Sequence, residues 1–178
     1  LDQTSPSLAS AYLNYFSLPS HGDNNERYYD KVFGHVHIFF INSGYNTAGD
    51  QTEVDGNDKN STQANWILLK AVRSTVKWKI AVFNSPPYSS QAGIQKDAMQ
   101  WGFARFGFDA VISDGDSKSY ERIVVDDFPY FVNGIGGAGL VPFTGSAVAG
   151  SELQYAANYG AIKITATEST LGFLVENI

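Results

Sequence analysis

The sequence predicts an α/β domain built on a mixed sheet and closed by an antiparallel hairpin. Three observations carry this. Residues 36–42 read VHIFFIN, the continuous apolar run expected of a strand buried on both faces. Strand-like runs alternate with helix-spaced apolar patterns through the middle of the chain, which is the pattern of an α/β sheet. Towards the C-terminus that alternation gives way to short runs paired across tight turns, the mark of antiparallel strands.

Residues 7–16 place Leu8, Ala11, Tyr12, Tyr15 and Phe16 at helical spacing, with Ser7 after Pro6 as a cap. A polar loop follows over 18–26. Residues 27–32 and 36–42 read as two strands joined through Gly34. Residues 43–59 hold glycines, acids and amides with almost nothing apolar, and are expected to be a long surface loop. Residues 62–74 give the clearest helix, with Trp66, Ile67, Leu68, Leu69, Ala71 and Val72 forming a broad apolar side and Asn60 or Ser61 available to cap it. A strand over 79–83 is stopped by Pro86 and Pro87. Residues 95–106 read as a helix ended by Gly107, and 110–113 as a short buried strand. Residues 122–125 and 130–133 form a hairpin turning at Asp126-Asp127. A glycine-rich loop spans 134–139, and 161–166 with 171–176 alternate around Glu168-Ser169 as the closing hairpin.

At 178 residues and 43% apolar content, the chain is one domain, or part of a larger one, with enough material for a core. The net charge of −6 and scattered lysines and arginines argue against a nucleic-acid partner. No apolar stretch approaches the roughly 20 residues that span a bilayer. No signal peptide is read, and the chain opens at Leu1 without Met, which leaves a processed or truncated start open. There is no cysteine, hence neither a disulfide nor a thiolate metal site. Low charge with much Gly, Tyr, Asn, Ser and Thr fits an extracellular, cell-surface or virion-surface setting. Asn60-Ser61-Thr62 matches a glycosylation acceptor, although capping of the next helix explains the same residues more simply.

In open α/β sheets, function gathers in loops at the carboxyl ends of strands. Asn84 and residues 114–119 each follow a predicted strand and therefore share one rim. The segments around them, WKIAVFNSPPYSS over 78–90 and DAVISDGDSKSYER over 109–122, resemble the metal-site segments of calcineurin-like metallophosphoesterases, the family that includes purple acid phosphatases. The likeness runs nearly end to end. Glu26–Asp30 with Val36–Phe40, Gln63, Trp66 and Leu69, the run Pro129–Gly134 with Gly136–Gly139, and Asn158–Ala161 all resemble family segments in the right order. It implies the C-terminal part of that family's sandwich.

The resemblance also shows what has changed. Asn84 stands where the family has a metal-ligating histidine. Gly115 and Ser117 stand where a histidine pair flanks Asp116, and Lys118 is an extra residue. Three imidazoles are therefore gone. The family's three N-terminal metal motifs do not occur here, and Leu1 lines up just after the third. Gly22-Asp23-Asn24 has the spelling of one of them, but follows a helix rather than an apolar strand.

Two-metal phosphoester hydrolysis needs several hard or borderline ligands around each ion and an activated water, and imidazole suits iron, zinc and manganese. Asn84 can offer a carbonyl oxygen. Gly115 offers nothing, Ser117 is a poor ligand while protonated, and Lys118 brings positive charge. Asp114 and Asp116 are able to attract a calcium ion through oxygen, or to serve simply as turn residues. His37 is expected inside a strand, His35 at a turn and His21 in a loop. His35 and His37 share one strand face, which leaves a zinc site open there. Residues 134–139 (GIGGAG) follow a strand but precede no helix, so a dinucleotide cradle lacks its context. Tyr120, Glu121 and Arg122 complete the set of rim residues, with Glu121 and Arg122 expected in structural ion pairs or backbone hydrogen bonds.

The sequence thus points to a pseudo-phosphoesterase, a structural or recognition domain in which no cofactor is expected. Another chain, a homo-oligomer or filament, or an N-terminal segment would cover the exposed sheet edges. Two alternatives remain. One is an active phosphomonoesterase whose two transition-metal ions are completed by an N-terminal half. The other is a sugar- or polymer-binding module, marked by a shallow aromatic patch.

Overall fold

The computed structural model describes residues 14–20, 26–44, 55–114 and 117–177. Nine strands are described: β1 (Tyr29–Phe33), β2 (Val36–Phe40), β3 (Trp78–Phe83), β4 (Ala110–Ser113), β5 (Tyr120–Val125), β6 (Phe128–Asn133), β7 (Ser151–Tyr155), β8 (Gly160–Ala166) and β9 (Leu171–Asn177). The first seven form one sheet in the order β1-β2-β3-β4-β6-β5-β7, and β8 and β9 form a separate two-stranded sheet. The inner strands β2, β3, β4 and β6 run parallel, while β1, β5 and β7 are antiparallel to their neighbours. The predicted mixed sheet with a closing hairpin is what forms.

Side chains alternate between the two faces of the sheet, and the register sorts them. One face carries Phe39, Ala81, Val111, Tyr130 and Ile123 across five strands. It is covered by helix α1 (Thr62–Arg73) and by the segment holding Met99, Trp101 and Phe103, and these residues make the main core. The other face carries Tyr29, Phe40, Val82, Ile112, Phe131 and Arg122. The β8–β9 hairpin crosses it, packing Ile162, Phe173 and Val175 on Ala110, Tyr120 and Phe131.

Helix α1 begins where capping predicts. Ser61 is extended, and its hydroxyl accepts from the Ala64 amide at 3.1 Å. The Asn60 backbone amide donates to Asp58 instead. Ala64, Ile67, Leu68 and Ala71 are buried at i, i+3, i+4 and i+7. Gln63, also fully buried, ties the helix to the end of β2. Its side-chain oxygen accepts from the Asn42 amide at 2.7 Å and its Nε2 donates to the Asn42 carbonyl at 2.9 Å. At the opposite end of the strands, His37 lies between Asp30 and Ser74, 2.8 Å from each, and Lys70 joins the same Asp30 carboxylate at 2.8 Å. Both ring nitrogens of His37 are thus engaged and His35 is exposed, which leaves no zinc site between them.

Two segments differ from the sequence reading. The helix expected over 95–106 is instead two single 3-10 turns, Asp97–Met99 and Phe103–Phe106. Gly102 between them is left-handed at φ +70°, and the buried residues fall at 99, 101 and 103, a spacing of two that a helix would not bury on one side. Strand β7 is not signalled in the sequence, because SELQY carries little apolar alternation; it forms as an edge strand held by β5 alone. Of the helix expected over 7–16, residues 14 and 15 are helical and 7–13 lie outside the described residues, as do His21, Gly22-Asp23-Asn24 and most of the 43–59 loop.

The β5–β6 turn has Asp126 and Asp127 at φ +50° and +60°, the left-handed pair of a type I′ turn, where an Asn-Gly dipeptide is favoured. The double substitution Asp126→Asn with Asp127→Gly is expected to stabilise the chain by about 1 kcal/mol. Thermal unfolding should then shift upward by about 2–4 °C; a downward shift would contradict the turn geometry.

Candidate functional site

The rim predicted from the sequence forms at the carboxyl ends of the parallel strands. The register aligns Phe83 of β3 with Ser113 of β4, so the residues that follow, Asn84 and Asp114, sit side by side. They line a cleft of about 360 Å³, with Arg27 and Asn133 also at the edge and Phe40, Val82 and Ile112 on the floor. An adjoining cleft of about 250 Å³ shares Asp114 and Asn133 and adds Lys118, Gly134, Gly136 and Gly137. The Asn133 side-chain oxygen is buried with no hydrogen-bond partner among the described residues.

The loop between β4 and β5 is closed in on itself. Ser117 is buried at 3% exposure, and its hydroxyl lies 2.9 Å from the Ser119 carbonyl oxygen and 3.0 Å from that of Asp114, both acceptors. Gly134 packs directly on this loop. A Cβ there would lie 2.3 Å from Ser117 Oγ and 2.5 Å from the Lys118 amide nitrogen. Lys118 takes a left-handed φ of +53° and is exposed, as is Asp114. Gly115 and Asp116 lie outside the described residues.

Adjacent strand residues point to opposite faces, so Tyr120, Glu121 and Arg122 part company. Glu121 is buried at 1% exposure. It accepts from the Ser90 amide at 2.8 Å, the Ser90 hydroxyl, the Ser151 hydroxyl at 2.7 Å and Gln154 Nε2 at 3.2 Å. One carboxylate thus joins the loop after β3 to strands β5 and β7. Ser90 Oγ in turn accepts from the Val148 amide at 2.9 Å, and Gln91 Nε2 donates to the Val141 carbonyl at 3.0 Å. Arg122 points the other way and pairs with Glu152 at 2.9 Å. Tyr120 is buried on the same side as Arg122. Burial pushes its phenol pKa upward, and the Arg122 charge offsets this only in part. The sequence named these three residues but had no signal for the partners of Glu121, which lie some 30 positions away on either side.

Two transition-metal ions do not fit the donors described here. No group of three or more His, Cys, Asp or Glu converges among the described residues. Among the described residues, the oxygen donors at the rim are the exposed Asp114 carboxylate, the amides of Asn84 and Asn133 and a Ser117 hydroxyl already turned to backbone carbonyls. No described helix is long and apolar enough to cross a membrane.

These features define a class of fold: a partial metallophosphoesterase-like α/β sandwich. Among solved structures, the purple acid phosphatase PPD1 from yellow lupin seeds superposes with a TM-score of 0.74 at 18% identity, over 96% of this chain and 33% of that one. GAP50, described as the anchor in the inner membrane complex of Plasmodium, gives a TM-score of 0.49 at 17% identity over 72% of this chain and 42% of that one. The likeness to the phosphatase is one of fold, and this chain spans about a third of its length. No family model matches the sequence, and no curated protein matches it.

Proposed function

We propose that this chain is a non-catalytic, pseudo-phosphoesterase domain with a structural or recognition role in an extracellular, cell-surface or particle-associated assembly. The observation that carries the reading is the state of Ser117. At a position where the resemblance puts a metal-ligating histidine, the side chain is buried and hydrogen-bonded into its own loop, and Gly134 packs so closely that a Cβ there would lie 2.3 Å from the Ser117 Oγ. Among the described residues, Asn84 and exposed Asp114 are the oxygen donors beside it, too few for two ions and an activated water.

Partners belong to the same proposal. Among the described residues β1 and β7 are the outer strands of the large sheet, and β8 and β9 each pair on one side only. Val32 and Phe33 of β1, Leu153 of β7 and Leu174 of β9 are exposed apolar residues on these strands, and open apolar strands invite another polypeptide. A second chain, a second copy or further polypeptide of the kind that fills out the lupin enzyme would cover them.

The test is elemental analysis of purified protein together with p-nitrophenyl phosphate turnover on the same sample. The expected result is substoichiometric metal and no turnover above buffer. About two transition-metal ions per chain with turnover would instead mean that the centre is completed by other polypeptide, and the non-catalytic reading would fall.

A further inference from the structure

On the face crossed by the β8–β9 hairpin, a groove of about 510 Å³ opens between β9 and strands β5 and β7. It includes none of Asn84, Asp114 or Ser117, and it extends to the opposite end of the sheet, where Trp78 begins β3 and Asp109 precedes β4. Its walls are aromatic. Phe173 packs on Phe131 with ring centroids 4.6 Å apart. Trp78 is fixed by a 2.7 Å hydrogen bond from its indole N–H to the Thr167 carbonyl.

The polar groups around these rings are only partly used. Tyr120 is only 3% exposed as a residue, yet it lines the groove, and its hydroxyl is not one of the buried polar atoms cut off from a partner among the described residues. Arg122 meets Glu152 through Nε at 2.9 Å, and its half-exposed guanidinium lines the groove. Asp109 spends one oxygen on the Lys79 amide at 2.7 Å. The groove therefore offers a phenol, a guanidinium edge and carboxylate oxygens, donors and acceptors together, over an aromatic floor.

We propose that this groove binds a neutral saccharide unit, its C–H faces against the rings and its hydroxyls bonded to Tyr120, Arg122, Glu152 and Asp109. A sugar hydroxyl donates and accepts at once, which matches the mixed set here. An anionic ligand would meet two carboxylates against one guanidinium, and a purely apolar one would strand Tyr120 and Arg122. The volume falls in the usual range for a small-molecule site. The inference deepens the recognition reading by naming a ligand class, at a place separate from the altered rim.

Saturation-transfer NMR on the full chain, with glucose, galactose, mannose, N-acetylglucosamine and their β-linked dimers and trimers, tests this, supported by tryptophan fluorescence titration. At least one saccharide is expected to bind and perturb the fluorescence. Tyr120→Phe, which keeps the ring, should weaken it about five-fold without changing the melting temperature, and Arg122→Met, at an exposed position, should weaken it as well. No transfer from any saccharide at about 10 mM, where a millimolar Kd would register, would overturn the proposal. So would binding that both variants leave unchanged, which would put the saccharide at another place on the chain. Neither failure touches metal content or turnover, on which the non-catalytic reading stands.

Discussion

Replacing Glu121 by leucine is expected to lower the melting temperature by about 10 °C, a loss of about 3–5 kcal/mol. The physical reason is asymmetry. Leucine is close to glutamate in size and is at home in a core, so packing changes little. What changes is that the Ser90 amide, the Ser90 and Ser151 hydroxyls and Gln154 Nε2 lose their common acceptor. Each is then a polar group in a partly buried setting with nothing to bond, and such groups cost more than the bonds themselves contribute. Glu121→Gln sharpens the point. It preserves shape and one carbonyl oxygen, but it turns an NH₂ group towards donors on one side of the site, so an intermediate loss is expected. Thermal and urea unfolding of the three proteins would check both. A fall below about 2 °C for the leucine variant would mean that water replaces the carboxylate and that Glu121 does not hold the loop after β3 in place.

The second large effect is expected at Gly150, the residue before β7. Its φ is +82°, and a Cβ there would lie 2.0 Å from the backbone oxygen of Val124. Alanine meets two obstacles at once: a left-handed conformation that costs about 1–2 kcal/mol for a side-chain-bearing residue, and a contact with main chain, which cannot swing aside as a side chain would. The Gly150 carbonyl also accepts from the Val124 amide at 2.8 Å, so moving the backbone away sacrifices that bond. A total loss of about 3–4 kcal/mol follows, read as a melting-temperature drop comparable to that of Glu121→Leu. Because Ser151 is both the next residue and a Glu121 partner, the two changes act on one network. The double variant should lose less than the sum of the singles. Full additivity would show that β7 is anchored by its backbone ladder independently of the carboxylate.

Much of the architecture could be read from the sequence because its signals are local. The apolar run at 36–42, the capped helix at 62–74 and the acid pair at 126–127 each carry their own period or turn chemistry, and each formed within a residue or two of its expected place. The rim was legible for the same reason: Asn84 and Asp114 follow strands, and parallel neighbours bring such ends together. Where the reading failed, the deciding interactions were distant. Met99, Trp101 and Phe103 go to the core from two 3-10 turns and the link between them because Gly102 breaks the helix and the core accepts alternate residues there. Strand β7 exists because β5 offers it an edge.

The sequence by itself determined the sheet's inner strands, the helix that covers one face and the absence of histidines at the rim, since these depend on residue type and spacing. Only the tertiary structure decided that Ser117 turns inward, that Glu121 holds three segments together while Arg122 faces a separate groove, and that Tyr120 lines that groove too. The Glu121 and Arg122 contacts join atoms some 30 residues apart in the chain at about 3 Å, and no periodicity records that.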